Sequence, residues 1–597
     1  MKSAESRGNW TGLTLLAPSM LFLMATVFVP VVLLMLASFN GPAGFSFSAF
    51  DRLTHTPVYA QVLSHSVMLA AVAASVAVLA AFPVSVAIAR SNGRWQQLLW
   101  VGVLLTFWTS FLVKTITWIV ILGRSGMVNS VLQSLGLTNE PLELLYTNFS
   151  VVTGLVHVLL PLAVLTMLPV MQAMDRRLVP AAATLGARPG VSFFVVYLPL
   201  CAPGVTAAWL STFVSGLGFF ITPALLGSPR QTMVAQLIIQ QVQEMMDWGL
   251  AAALSLVTLV VTLLIYWIYD RMVGLSSLAG EGMRSGDSGQ SPLGHRIRKF
   301  KMAGFWLLAN VSTRIARLVP GHGQHRMARD GGGNGASLSG GLALMILLAV
   351  TVPVVLLVPE SFTTSAFIDW PPQGFTLRWY EGLFASPVWT GAFARSLGVG
   401  VLASLISAAV GIPAAFAFAQ QKVPMRSLLL GMILAPLILP RIVVALGLFY
   451  VLSRLGLVGS SIALAVGHAA LGLPYVVITV TATLKSYDRR LDAAASILGA
   501  TLWTRLRMVT LPIIMPGILS AFIFSFVTSF DDLTLSLFVS GGLFTTLPKQ
   551  MWDDALLKVS PSLAAVSVLL FGAVLLLMIA SWLIRARISR MRVVQTA

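Results

Sequence analysis

The sequence predicts an all-α integral membrane protein of about twelve transmembrane helices, arranged as two parallel six-helix repeats. Three observations predict it. Hydrophobic residues make up 57% of the 597-residue chain and charged residues only 10%, against about 25% charged in a soluble globular chain. The apolar residues gather into runs long enough to cross a bilayer. A polar segment between two of those runs then recurs later in the chain, almost residue for residue.

Runs able to cross about 30 Å of hydrocarbon fall near 11–39, 62–89, 97–122, 149–172, 200–226 and 249–269. A second set falls near 340–358, 393–419, 427–452, 460–484, 513–539 and 562–584. The expected organisation is a first half over 1–271, a linker over 272–339 and a second half over 340–597. Lys2 and Arg7 precede the first run as in a signal peptide, but a run from Thr11 to Phe39 is too long for one and reads as a retained span.

The net charge of +18 would suit nucleic acid if the bases lined one face. They cluster instead in alternate loops. Arg90, Arg94, Asp175-Arg176-Arg177 and Arg188 fall on one side, with Lys422, Arg426, the stretch from Lys485 to Arg507, and the tail Arg585, Arg587, Arg590 and Arg592. The other side holds Glu140, Glu143, Glu244, Asp247, Glu360, Asp369 and Glu381. Bases of this kind mark cytoplasmic loops, so both termini are expected in the cytoplasm and no nucleic acid is expected as a partner. The linker carries Arg296, Arg298, Lys299, Lys301, Arg314, Arg317 and Arg329 around Phe305-Trp306-Leu307-Leu308, a pattern for a helix lying on an anionic bilayer surface. Its Gly331–Gly335 end is a flexible connector. A single cysteine, Cys201, excludes an internal disulfide and a multi-cysteine metal site.

The repeat is Asp175-Arg-Arg-Leu-Val-Pro-Ala-Ala-Ala-Thr-Leu-Gly-Ala187 against Asp488-Arg-Arg-Leu-Asp-Ala-Ala-Ala-Ser-Ile-Leu-Gly-Ala500, an offset of 313. Pro161/Pro474, Pro199/Pro512, Pro203/Pro516 and Gly204/Gly517 keep the same offset. Both copies lie between the fourth and fifth runs of their halves, which implies a parallel repeat about an axis along the membrane normal. Alanines such as Ala181, Ala182, Ala494 and Ala495 favour a short helix. Gly186 and Gly499 then supply a turn where a Cβ would obstruct. The chain therefore presents two helix–turn–helix elbows to the cytoplasm.

At these residues the chain resembles the permeases of binding-protein-dependent ABC importers, whose coupling loop reads Glu-Ala-Ala, three residues, Gly, then about a dozen residues to Leu-Pro. The resemblance covers both halves, as if two permease subunits of the type I importer fold were joined in one chain. It implies two copies of a cytoplasmic ABC ATPase gripping the elbows, a periplasmic or lipid-anchored substrate-binding protein outside, and residence in a bacterial inner membrane. ATP and magnesium would be bound by those ATPase subunits, since no phosphate-binding Gly-x-x-x-x-Gly-Lys-Ser/Thr loop occurs in this sequence. The implied coupling residues are Asp175, Ala181, Ala182 and Gly186 in one elbow, and Asp488, Asp492, Ala494, Ala495 and Gly499 in the other. The pattern's glutamate is replaced by Pro180 and Ala493, leaving Asp492, one residue earlier, to substitute in the second copy.

Asp531 and Asp532 lie inside an apolar run, where a carboxylate costs roughly 2.5–3.5 kcal/mol to insert and so faces a wet or paired interior. Their counterparts at the 313 offset are Gly218 and Phe219, so the acids are asymmetric. Phe530-Asp531-Asp532-Leu533 and Thr546-Leu547-Pro548 resemble the second type of spermidine/putrescine permease, and Phe219 to Gly227 its first-type partner. That resemblance implies a small organic cation as substrate, with Asp531, Asp532, Phe219, Trp552 and Asp553 along its path and Asp554 beside them. Permeases for ferric ion, thiamine or phosphonate share much of the pattern. An ion-coupled secondary transporter also has twelve spans in two parallel halves, though its basic signature between the second and third spans is missing here. No catalytic residues and no metal ligands are expected. His157 and His468, in the fourth run of each half, read as a shared packing or hydrogen-bonding feature, and Arg441 as a snorkelling or acid-paired base.

Overall fold

In a bilayer each backbone N–H and C=O must find a partner inside the protein, and helices meet that demand within one segment. The computed structural model describes the backbone of residues 2–41, 44–187, 189–273, 338–368, 370–421, 423–541 and 544–596, and the side chains of these except at 2–11, 189, 269–273, 338–339, 577 and 580–596. The linker helix expected at Phe305–Leu308, the glycine run, Arg188, Asp369, Lys422 and the tail arginine side chains lie outside the described residues. Within them the chain is helical but for turns, loops and one ribbon pairing Asn40–Gly41 with Gly44–Phe45.

Ten helices among the described residues are long and apolar enough to cross a membrane, and an eleventh forms if Arg426–Ile438 and Arg441–Arg454, bent by 93°, count as one span. The described apolar part of the last helix, Pro561–Leu576, is shorter. The difference from twelve arises at breaks. The run near 97–122, expected as one helix, is Gly93–Trp108 and Phe111–Leu122, parted by extended backbone at Thr109 and Ser110. Its counterpart breaks at Leu439–Pro440, where proline has no N–H to continue the ladder. The runs near 200–226 and 513–539 each stop, at Gly218 and Asp531, before the short helices Ile221–Leu226 and Thr534–Val539. Hydropathy averages across two-residue breaks flanked by apolar sequence and does not see them.

Each half is built on three helices that pack on one another. In the first half they are Pro57–Arg90, Asn148–Ala173 and Leu198–Leu217; in the second, Pro387–Gln420, Ser461–Ser486 and Leu511–Phe530. Lipid is as apolar as leucine, so these helices gain by close packing and not by leaving water. Small residues permit it: a Cβ on Gly411 would meet Leu473 and Val476 at 2.9 Å. Hydroxyls bond inside their own helix or to a neighbour, as Ser407 Oγ does to the carbonyls of Ala403 and Ala469, both at 2.9 Å.

The halves exchange their first helices. Lys2–Leu23 packs on Pro387–Gln420 and Val29–Ala37 on Arg441–Arg454, while Leu338–Val355 packs on Pro57–Arg90 and Gly93–Trp108. Ser19 Oγ donates to the Val410 carbonyl at 2.8 Å across this junction. A Cβ on Gly447 would lie 3.1 Å from the backbone of Pro30.

The repeat extends upstream at a different offset. Pro57–Arg90 and Pro387–Gln420 are both 34 residues long and 330 apart, as are Phe111 and Arg441 at the starts of their helices. From Asn148 and Ser461 the offset is 313. The first half thus carries 17 extra residues between these points, on either side of a Val131–Leu137 stretch that recurs as Val451–Leu457 at an offset of 320. That insertion is tied to the second half: Trp370 N–H donates to the Ser125 carbonyl at 3.1 Å, and Ser130 Oγ to the Trp370 carbonyl at 3.2 Å.

Candidate functional site: two elbows and a crossing between the halves

The elbows are duplicated down to single hydrogen bonds. Asp175 Oδ1 accepts from Arg177 N–H and Asp488 Oδ1 from Arg490 N–H, both at 2.9 Å, fixing the turn into Leu178–Thr184 and Arg490–Ile497. Arg176 donates to the Ala89 carbonyl and Arg489 to the Ala419 carbonyl, both at 2.7 Å. Each guanidinium thereby joins its elbow to the end of a long core helix, satisfying a terminal carbonyl that has no intrahelical partner. Gly186 and Gly499 then take φ of +84° and +81°. Ala182 and Ala495 are half-buried while Ala181 and Ala494 face outward. Just before the glycines, Leu185 and Leu498 are 89% and 86% exposed. An apolar tip held this far from the core is suited to insertion into another protein. Asp492, expected to stand in for the missing glutamate, accepts from Thr510 Oγ1 at 2.9 Å, an interaction within its own half.

About 24 Å along Gly93–Trp108, at 1.5 Å per residue, the halves cross. Asp531 Oδ2 accepts from the Phe111 N–H of the other half at 3.4 Å. Ser110 makes no side-chain cap of its own. A second-half acid therefore caps a first-half helix, where the exposed N–H groups and helix dipole favour negative charge. At the equivalent crossing Gly218 lies against Pro440 and Arg441, its Cβ position 3.6 Å from the Arg441 nitrogen, and the carboxylate beside Arg441 is that of Asp532, 4.0 Å from its guanidinium.

The two acids have separate surroundings. Asp532 is 2% exposed and bracketed within its own half. Its Oδ2 accepts from Leu535 N–H at 2.8 Å and lies 3.5 Å from His468 Nε2, while Oδ1 is 4.0 Å from Arg441 Nη1. His468 Nδ1 is 2.7 Å from Ser529 Oγ. This is a structural bracket around a helix break. Asp531 is half-buried and faces the crossing.

The remaining expected path residues divide similarly. Phe219, half-buried, packs edge-on against Phe111 at 5.5 Å and so belongs to the crossing. Trp552 is buried against Phe220 of the other half at 5.3 Å, a contact between halves more than a lining. Asp553 is engaged by Lys549 at 2.6 Å. Partial burial raises the Asp554 carboxyl above its usual range; a hydrogen bond from Gln550 works against this and the neighbouring Asp553 adds to it. His157 and His468 are 311 apart, not 313, and have different partners: His157 Nδ1 accepts from Trp118 Nε1 at 2.9 Å. They are not a repeated feature. Lys114, one turn beyond Phe111 and 1% exposed, is missing from the expected set. It carries a signal the sequence does give, a lysine inside an apolar run.

A model of the family described as "binding-protein-dependent transport system inner membrane component" matches residues 407–593. The spermidine/putrescine transport system permease protein PotC of Escherichia coli (strain K12) is 33% identical over 251 residues, 42% of this chain and 94% of its own length. PotB of the same system in Haemophilus influenzae is 30% identical over 256 residues, 42% of this chain and 90% of its own. PotB of Escherichia coli (strain K12) is 28% identical over 261 residues, 42% of this chain and 95% of its own. Each relative is matched over nearly its whole length by about two-fifths of this chain.

Proposed function

The chain belongs to the binding-protein-dependent inner membrane transport components, the permeases of ABC transporters, and from that membership we propose that its two halves form the import pathway for a small organic cation of the polyamine class. In this reading two ATPase subunits seat the elbows at Gly186 and Gly499, and a binding protein delivers substrate at the opposite end. The elbows and both termini are cytoplasmic. Closure of the ATPase pair draws the elbows together, and because Arg176 and Arg489 bond the ends of Pro57–Arg90 and Pro387–Gln420, the core helices follow. The crossing at Ser110–Phe111 and Pro440–Arg441 then opens and closes in alternation.

The observation that carries this reading is the duplicated, separately anchored elbow with an exposed apolar tip. The polyamine assignment draws support from the likeness to the spermidine/putrescine permeases PotC and PotB and from the half-buried carboxylate at the crossing. Its test is uptake of labelled spermidine by proteoliposomes holding this chain, its ATPase and its binding protein. The proposal expects uptake that needs ATP, is blocked by vanadate and survives collapse of the proton gradient. Uptake that follows the proton gradient and ignores ATP overturns it in favour of an ion-coupled carrier.

A further inference from the structure

Between each elbow and its core helix the chain leaves the α-helical path, and it does so at the same place in both halves. Ser192–Tyr197 and Leu506–Thr510 are wide π-helical turns that end at equivalent residues, 313 apart. Leu198 N–H donates to the Phe193 carbonyl and Leu511 N–H to the Leu506 carbonyl, five residues back instead of four. Pro199 and Pro512 come next. A proline crowds the carbonyl four residues before it and offers no N–H, so a wider turn relieves it.

Proline permits such a turn without imposing one. The hexapeptide Val-Pro-Val-Val-Leu-Leu stands at 29–34 and again at 352–357. The first copy follows a wide turn, Met24–Phe28, while the second has its proline inside the α-helix Leu338–Val355. Pro203 and Pro516 likewise sit inside the α-helices Leu198–Leu217 and Leu511–Phe530. Among the described residues, the wide turns that recur in both halves are those beside the elbows. Turns of this kind gather at functional sites.

Their two sides differ in freedom. On the membrane side, Gly204 and Gly517 seat each core helix against Asn148–Ala173 or Ser461–Ser486. A Cβ on Gly204 would lie 2.9 Å from the Val170 Cβ, and one on Gly517 would strike Thr483. On the elbow side, Leu185 and Leu498 project into the open. The last residue of each turn is clamped by different chemistry: the Arg90 guanidinium lies 4.6 Å over the Tyr197 ring, and Thr510 Oγ1 donates to Asp492 at 2.9 Å. The clamps differ while the backbone turn is the same.

We propose that these two turns are the joints of the transport cycle, letting each elbow turn in the grip of its ATPase while the core helices move as one packed unit. The inference rests on the reading that ATPase subunits seat the elbows. A wide turn holds one residue more than an α-turn. As it passes along a helix, the residues it crosses move one place, about 1.5 Å along the axis and about 100° around it. Shifts of 1–2 Å between packed helices are enough to switch an assembly between states.

The test removes the extra residue. Val195 and Met508 are equivalent positions inside the two turns, and deleting both leaves an α-helix with its flanks in register. The reconstituted complex of the deletion variant, its ATPase and its binding protein should still assemble and hydrolyse ATP. Spermidine uptake should fall by roughly 10-fold or more, the scale of a lost coupling free energy. Uptake at the wild-type rate overturns the inference. A second measurement does not depend on the deletion: spin labels at Leu185→Cys with Leu200→Cys, and at Leu498→Cys with Ile513→Cys, in a Cys201→Ala background. Each pair spans one turn, and Leu200 and Ile513 are exposed. Each distance should change by at least about 1.5 Å between the nucleotide-free and vanadate-trapped complexes, and constant distances overturn the inference. A wild-type chain that binds no ATPase at its elbows refutes the import reading itself, a distinct outcome.

Discussion

Valine at both elbow glycines separates the mechanical reading from a general loss of stability. Gly186 and Gly499 sit at φ of +84° and +81°, and a Cβ built on either has no atom within 4 Å. The substitution therefore makes no clash, and its whole effect is on the backbone. A left-handed conformation costs an L-residue roughly 1–2 kcal/mol, and more when it is β-branched. That lowers the equilibrium constant for the native elbow by a factor of at least about 5–30 at each site. The sites are in separate halves with no shared partner, so the double variant should approach the sum. Gly136, at φ +66° with equally open surroundings, lies in the loop between Met127–Ser134 and Asn148–Ala173 and suffers the same backbone penalty away from the elbows. Co-purification of the ATPase and vanadate-sensitive uptake are measured together with membrane insertion. Gly186→Val/Gly499→Val should insert normally yet retain little ATPase and little uptake, and Gly136→Val should resemble wild type. Equal effects from the elbow and the control variants would refute the reasoning.

Other outcomes follow from the same contacts. Asp532→Ala strands the buried His468 and Leu535 N–H, a loss of about 3–5 kcal/mol, so it should lower the melting temperature in detergent well below that of Asp531→Ala. Similar melting temperatures would deny the two acids their separate roles. Arg176→Ala and Arg489→Ala each remove a charged hydrogen bond worth about 1.5–3 kcal/mol; both should make the nearby elbow more sensitive to limited proteolysis and slow uptake. Gly447→Leu must push the first span off the second half, since its Cβ would start 3.1 Å from the Pro30 backbone. Disulfide formation between Ser19→Cys and Val410→Cys should then fall relative to the same pair in a Gly447 background.

The parts of this molecule that hydropathy and repetition reveal are those encoded in many residues at once. Spans, their order and the elbow motif all have that character. Asp175/Asp488 and Gly186/Gly499 could be paired by counting alone, and the structure gives each pair the same local geometry. The crossing was less legible because it depends on single residues at breaks. Nothing in the apolar sequence around Thr109–Ser110 announces two helices, and the 17-residue insertion hid the correspondence of Phe111 with Arg441 by changing the offset from 330 to 313. The matching positions near Pro161 and Pro474 made His157 and His468 look equivalent when they differ by two residues and by all their partners. Exchange of the first helices is likewise invisible to composition, since an apolar helix packs on either half with the same residue types. Asp531 and Asp532 are adjacent in sequence, yet a helix end turns one toward the crossing and the other into its own half.

Cross-linking at the elbow tips bears most directly on the central claim. Leu185→Cys and Leu498→Cys, made with the buried Cys201 replaced by alanine, should each cross-link to the ATPase subunit. In intact cells they should also be protected from a membrane-impermeant thiol reagent added outside. Ready labelling of either cysteine from outside, or the absence of any cross-link in a complex still active in uptake, would contradict an importer driven through these two elbows.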